Sequence, residues 1–488
     1  DSLMKEFYQS ILNIFKSSNA PFMVYYDECR TYSEAYTCLQ RFNSLLRNLN
    51  NETVVLYADK GFETYCGIFS IFLSGNTWLP ISPSLPEKRI IEILQTVNPK
   101  IILTDRRLPD RVDDFVKDNH IGVHQFNSLH ECEPIDFKLG EFHPQDNAYI
   151  LFTSGSTGTP KGVPMTHGNY IPFIKNALEI LSFGREEIFS DYHDFSFDLS
   201  IFYLFCAVLT ESAFAPALQN KDKYFLLNHA IQNNVTVWSS VPSSIARIKR
   251  ARPETEYNTD IKIMFLCGEP FHIDILEYCY NNLNIKNVYN FYGLTETGVE
   301  NFYYKCSADD LKQFKKRGFL PIGKPLPGNS VKITDQGELL IGGPQVTSRY
   351  IGGIQRERFE EINGERYFHS GDLVEKSEDL YFCKGRMDAQ VKVDGYRIEL
   401  GDVEAALRRL EGVSGAVCFV DEKDHRKHII AVLETVRSSE DGYTERLKDI
   451  LPSYMVPKEI YSVENFPRNK SGKIDRVKLK EITRLVIQ

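Results

Sequence analysis

Thr153-Ser154-Gly155-Ser156-Thr157-Gly158-Thr159-Pro160-Lys161-Gly162 directly follows a short apolar run, Tyr149-Ile150-Leu151-Phe152. The run reads as a β-strand, and the string after it is suited to wrap an anion. Glycine lets a backbone curl closely around a ligand, while chain and hydroxyls offer N–H and O–H donors. Lys161 adds a fixed positive charge. This is the chemistry of a phosphate cradle, but not of a Walker loop. A Walker loop requires Gly-x4-Gly-Lys-Ser/Thr, whereas Lys161 follows Pro160 and precedes Gly162.

Outward from this string, short β-rich runs alternate with helical patterns. Thr53–Tyr57, Ile101–Leu103, Thr236–Trp238 and Ile261–Leu266 read as strands; Glu63–Ser74, Arg89–Val97 and Asn169–Leu181 read as helices. Strands separated by helices predict an α/β fold with mainly parallel sheets. From about residue 320 the texture changes: Pro321, Pro325, Pro327 and a glycine-rich stretch from Gly328 to Gly353 predict short strands joined by turns, a β-subdomain closing the large domain. After Lys384-Gly385-Arg386-Met387-Asp388 comes a smaller unit. The pattern predicts a large N-terminal domain over 1–387 and a small α+β lid over 388–488, with a boundary near Asp388.

With 488 residues, 42% of them hydrophobic and 25% charged, the chain can bury a large core. A net charge of −9 gives no electrostatic reason to expect nucleic-acid binding. No apolar run approaches the roughly 20 residues needed to span a bilayer. The segment Asp1–Glu6 lacks a signal peptide's basic and apolar regions, and residue 1 is not Met, as in a sequence numbered from inside a longer one. Ten scattered cysteines without a Cys-x-x-Cys pair read as reduced thiols, and cytoplasmic localisation is expected.

The phosphate string resembles the signature of the adenylate-forming superfamily: acyl-CoA synthetases, luciferases and the adenylation domains of nonribosomal peptide synthetases. Other motifs are similar in order and spacing: Leu73–Pro83, Asn290-Phe291-Tyr292-Gly293-Leu294-Thr295-Glu296-Thr297, His369-Ser370-Gly371-Asp372-Leu373, Gly385–Asp388 through Glu399-Leu400-Gly401, and Asn469-Lys470-Ser471-Gly472-Lys473-Ile474-Asp475-Arg476. Leu294 departs from the proline usual at its place.

The resemblance implies ATP and Mg²⁺ as cofactors and assigns residues. Thr153, Ser154, Gly155, Ser156, Thr157, Gly158 and Lys161 would hold phosphate; Asp372 would accept from both ribose hydroxyls, with Arg386 nearby. Tyr292 would stack on adenine, Asn290 would bond its edge beside Phe291 and Gly293, and Gly268-Glu269-Pro270 would wall the other side. Glu296 would be the metal ligand and Thr295 would donate to the α-phosphate. Lys473 would be the catalytic lysine, neutralising charge on the phosphoryl oxygens as the substrate carboxylate attacks. Asp388 would be the hinge about which the lid turns for the second step, bringing Lys392 and Gly395 to line a pantetheine tunnel.

Asp198 stands among apolar residues in Phe195-Ser196-Phe197-Asp198-Leu199-Ser200-Ile201. A carboxylate there is costly to bury unless paired, and a helix N-cap is the plain alternative. The string resembles the Phe-Asp-x-Ser pattern of amino-acid-activating domains, which implies a partner in the substrate α-ammonium. The same resemblance places Phe202, Ser239, Phe265, Cys267, Phe291, Val299, Glu300 and Lys473 around the substrate. Three Phe favour a small neutral amino acid such as glycine, alanine or proline, and Cys267-Gly268-Glu269 resembles D-alanine–carrier protein ligases. Glu300 would either pair with a basic side chain or turn outward as a surface carboxylate.

The expected function is therefore ATP-dependent formation of an aminoacyl-adenylate, then transfer to the phosphopantetheine thiol of an acyl or peptidyl carrier protein. The expected partners exclude nucleic acid and membrane. Fifteen residues after Lys473 leave no room for a carrier behind it, so a stand-alone ligase is expected rather than a domain excised from a larger synthetase. The rivals are an acyl- or aryl-CoA ligase of the same superfamily and a catalytically silent nucleotide-binding scaffold.

Overall fold

The computed structural model describes residues 2–153, 159–388, 390–436, 442–468 and 474–487. The chain forms two compact units. The first comprises Asp1–Pro83, Thr96–Leu151 and Gly162–Met387; the second gathers Ser84–Gln95 and Phe152–Lys161 with Asp388–Gln488. The two inner segments thus pack with the C-terminal part, which a division by sequence order does not reveal.

In the first unit, nine described strands form one sheet. At its centre Asn287–Tyr292, Ile263–Leu266, Val237–Ser240, Ile188–Asp191, Ala213–Pro216 and Pro21–Tyr25 run parallel, and antiparallel strands close both edges. A six-stranded sheet carries Gly122–Gln125, Ile101–Thr104, Thr53–Tyr57, Thr77–Ile81 and Asn147–Thr153 in parallel, with Lys161–Thr166 at its edge. Ser330–Ile333, Glu338–Gly342, Glu365–Ser377, Phe359–Ile362 and Leu380–Arg386 make an antiparallel sheet.

Gly75 shows how the chain turns from helix to strand. Phe62–Leu73 ends where Gly75, at φ +77°, takes a left-handed conformation; Asn76 N–H then bonds Ile71 O at 3.1 Å and the strand Thr77–Ile81 begins. This closes the orphan carbonyls of the last helical turn.

Phe62–Leu73 and Leu199–Leu209 are buried on nearly every face. A helix apolar all round belongs inside a core, and here aromatic rings fill the space around it. Phe205 of the second helix packs on Phe69, Phe72 and Tyr170.

The second unit contains the hairpin Gln390–Val393 with Tyr396–Glu399, the helix Leu400–Arg408, and the three strands Gly415–Lys423, Arg426–Glu434 and Glu459–Val463. Helix Glu87–Val97 supplies Arg89, whose guanidinium bonds the buried Asp402 at 2.7 Å. No helix among the described residues is long and apolar enough to cross a membrane. All ten cysteines are free thiols.

Candidate active site

The first unit brings two sets of predicted residues to the carboxyl ends of its central strands. This is where open α/β sheets hold ligands. Asp198 follows strand Ile188–Asp191 and sits at the N-cap position of helix Leu199–Leu209, buried to 6% exposure. Its side chain makes no capping bond to the first turn of that helix, so Asp198 holds the N-cap position without acting as a cap. Burial and then the Asp198 charge push the Tyr149 phenol well above its usual range.

The loop carrying Asp198 is tied down behind. Lys60 Nζ donates to Asp191 Oδ1 at 2.8 Å and to His193 O at 2.5 Å, and lies 3.6 Å from the centre of the Phe195 ring. Tyr65 and Tyr203 hydroxyls also donate to Asp191. Burial, with Lys60 and Arg247 nearby, pulls the His193 imidazole down to about 3, so it is neutral at pH 7.

Phe202, Phe265 and Phe291 pack together: the first two stack with centroids 4.2 Å apart, and Phe291 meets Phe202 edge-on at 5.1 Å. Ser239, Cys267, Val299 and Glu300 are all buried. Glu300 at 2% exposure is therefore not a surface carboxylate, which removes one of its two expected readings. Val299 holds φ +72°, a strained value for a β-branched residue, and Gln345 Nε2 pins the turn by donating to Gly298 O and Glu300 O, both at 2.8 Å.

The second set surrounds Asp372. The Tyr292 hydroxyl and Arg386 Nη1, the latter at 3.0 Å, both donate to its carboxylate. Burial, then the Asp372 charge, raises the Tyr292 phenol well above its usual range. Asn290 Nδ2 donates to Pro321 O at 2.9 Å, while its buried Oδ1 has no hydrogen-bond partner among the described residues. Gly268 turns at φ +87°, Glu269 accepts from Ser243 Oγ at 2.8 Å, and Pro270 is exposed. Glu296 is fully buried, with Tyr350 OH donating to its Oε2 at 2.5 Å; Thr295 beside it is half-buried.

A family model described as AMP-binding enzyme matches residues 13–351. The chain belongs to the AMP-binding enzyme family. It is an adenylate-forming ligase. The D-alanine–D-alanyl carrier protein ligase of Staphylococcus aureus (strain Newman) is 29% identical over 448 residues, 89% of this chain and 90% of that protein. The adenylation domain AlmE of Vibrio cholerae, solved with glycyl-adenosine-5′-phosphate, superposes with TM-score 0.84 at 22% identity over 98% of each chain. The o-succinylbenzoate CoA synthetase of Bacillus subtilis superposes with TM-score 0.82 at 21% identity, over 97% of this chain and 98% of that one. Similarity to both an amino-acid and a CoA ligase shows the shared fold alone.

The residues present in this AMP-binding enzyme fit a nucleotide. A buried amide oxygen on Asn290 matches the amino group of adenine, and a held carboxylate on Asp372 matches a diol. Glu296 fits Mg²⁺, which takes one or two carboxylates together with phosphate oxygens.

Of the candidate phosphate-binding residues in the string, Thr153 and Lys161 are described and fall in the second unit. Thr153 Oγ1 is buried without a hydrogen-bond partner among the described residues, and Lys161 Nζ lies 3.9 Å from Glu399 Oε1. Asp388 Oδ1 accepts from Gln390 N–H at 2.9 Å. Ser154, Gly155, Ser156, Thr157, Gly158 and Lys473 lie outside the described residues. Sequence reading missed Tyr350, Lys60, Asp191 and Gln345. No motif marks them, since each acts on a partner at least 45 residues away in the chain.

Proposed function

We propose that this ligase activates an α-amino acid as its adenylate and then loads it onto the phosphopantetheine thiol of a carrier protein. One observation carries the amino-acid reading: Asp198 is a carboxylate buried at the start of an apolar helix. A substrate α-ammonium is the opposite charge that suits a buried carboxylate. The likeness to D-alanine–D-alanyl carrier protein ligases over most of the chain supports both amino acid and carrier.

In the first step the substrate carboxylate oxygen bonds to the α-phosphorus of ATP as the bond to pyrophosphate breaks. A carboxyl group with a pKa of about 4 is already ionised, so no general base is needed. Asp372 and Arg386 hold the ribose end, and Asn290 and Tyr292 the base. Glu296 would hold Mg²⁺, which would supply positive charge to the phosphate oxygens. Thr295 donates to the α-phosphate, and Lys473 supplies an ammonium at the reacting centre. In the second step the carrier sulfur bonds to the acyl carbon, AMP leaves, and the thiol proton passes to solvent.

The packed Phe202, Phe265 and Phe291 rings favour a small neutral substrate. A basic amino acid is the second reading, favoured by the interior position of Glu300. ATP–pyrophosphate exchange with a panel of L- and D-amino acids and aliphatic and aryl acids tests the proposal. Exchange with amino acids, abolished in Asp198→Asn, supports it; exchange with the carboxylic acids alone refutes it.

A further inference from the structure

Asp372 pairs with Arg386 on one side of its strand, but on the side facing Glu338–Gly342 it lies in a bulge. His369 pairs with Leu340 and Leu373 with Glu338, so Ser370, Gly371 and Asp372 stand opposite one residue, Leu339. Bulges re-aim a side chain, and the extra residues need something to hold them. Gly371 turns at φ +74°, and its N–H donates to Glu338 Oε2 at 2.9 Å. The other oxygen of Glu338 meets His369 Nδ1 at 2.8 Å, and His369 Nε2 meets Glu360 Oε2 at 2.8 Å. The imidazole is thus clamped between carboxylates from the two strands that flank its own. Both ring nitrogens face acceptors that lack a proton, so both bonds exist only for the imidazolium.

We propose that Glu338 and His369 are a positioning pair for the ribose-binding carboxylate: charged His369 orients Glu338, Glu338 holds the Gly371 N–H, and Asp372 is thereby aimed. Nucleoside binding then depends on the protonation of His369, which touches no substrate. This rests on the reading of Asp372 as the ribose ligand. The charged groups around His369 are Glu338, Glu360 and Arg358, whose guanidinium donates to the His369 carbonyl at 2.9 Å. Partial burial lowers the imidazole, but the hydrogen bonds and charges of Glu338 and Glu360 outweigh it and leave it raised. The clamp is complete below the ordinary histidine range and is lost as pH rises through that raised value.

Adenosine is the probe, because it has no phosphate and no group that titrates between pH 6 and pH 9. Its Kd for the full chain is measured by calorimetry across that range. In the wild type it should weaken by at least about ten-fold with rising pH, the lower end of what one hydrogen bond to a charged group is worth. His369→Gln should bind weakly and independently of pH, and His369→Arg, a permanent cation, tightly and independently of pH. In turnover, His369→Gln should raise the KM for ATP more than it changes kcat. A pH slope that persists unchanged in His369→Gln and His369→Arg overturns the proposal. Asp372→Asn separates the two readings: if it binds adenosine as well as the wild type, the ribose assignment itself fails; if it alone loses binding while both His369 variants behave as wild type, only the positioning pair fails.

Discussion

The hydroxyl of Tyr350 donates to the carboxylate of Glu296 across 2.5 Å, with both side chains fully buried and 54 positions apart in sequence. Removing the hydroxyl leaves that carboxylate oxygen less well held, and outer partners of this kind typically tune metal affinity. Tyr350→Phe should therefore raise the Mg²⁺ concentration needed for half-maximal pyrophosphate exchange by about ten-fold. A Mg²⁺ titration at saturating ATP checks this, and an unchanged midpoint would separate Tyr350 from the metal function.

Gly293 sits against the strained turn that presents Val299 and Glu300. A Cβ added there would stand 2.2 Å from Val299 O and 2.5 Å from Glu300 Cα, both backbone atoms that cannot yield as a side chain does. Gly293→Ala should displace the turn and raise the amino-acid KM by at least about ten-fold, from a loss near 1.4 kcal/mol. Circular dichroism and the KM for the preferred amino acid, measured on the same preparation, test it.

Lys60 pairs with a fully buried Asp191 that also accepts from Tyr65 and Tyr203. Removing one partner of a buried pair leaves an uncompensated charge, costing about 3–5 kcal/mol. Lys60→Met should lose stability on that order in urea unfolding, and Lys60→Met with Asp191→Asn should recover part of it. If the single variant unfolds at the wild-type urea midpoint, the pair does not anchor the loop before Asp198.

His167 is fully buried, with its Nδ1 2.6 Å from the Tyr8 hydroxyl, and burial followed by the charge of His143 lowers its pKa to about 4. An unfolded histidine titrates near 6.5, so between about pH 6.5 and 4 the unfolded chain binds a proton that the folded chain refuses. The stabilisation is present above the unfolded value and is lost as pH falls to the folded one, at up to about 1.4 kcal/mol per pH unit. His167→Gln should flatten the acid limb of the stability profile, read as urea midpoints between pH 7 and pH 4.

The parallel sheets were legible because their strands are short apolar runs: Thr53–Tyr57 occurs as read, and Asn147–Thr153 contains the run before the phosphate string. Helix Asn169–Leu181 was legible too, and it begins slightly earlier, at His167, behind a capping box of Thr166 and Asn169. Helix Leu199–Leu209 was read only through the N-cap alternative for Asp198, for a physical reason. It is apolar on every face, so it lacks the periodicity that separates a buried face from a wet one. The ribose, base and metal candidates were legible as motif residues, whereas their supports were not. Tyr350 on Glu296, Gln345 on Glu300 and Glu338 on Gly371 are tertiary contacts between ordinary polar residues. The burial of Glu300 could not be read from its neighbours either, because the contact that fixes its turn comes from Gln345, far along the chain.

The adenylation chemistry itself is most directly tested by the product balance of a single turnover. Purified protein with Mg²⁺, ATP labelled at the α- and γ-phosphates and its preferred amino acid, without a carrier, should yield one aminoacyl-adenylate and one pyrophosphate per ATP consumed. Formation of ADP with orthophosphate, or of an acyl-phosphate, would contradict an attack at the α-phosphorus and with it the roles given to Asp198, Glu296 and Asp372.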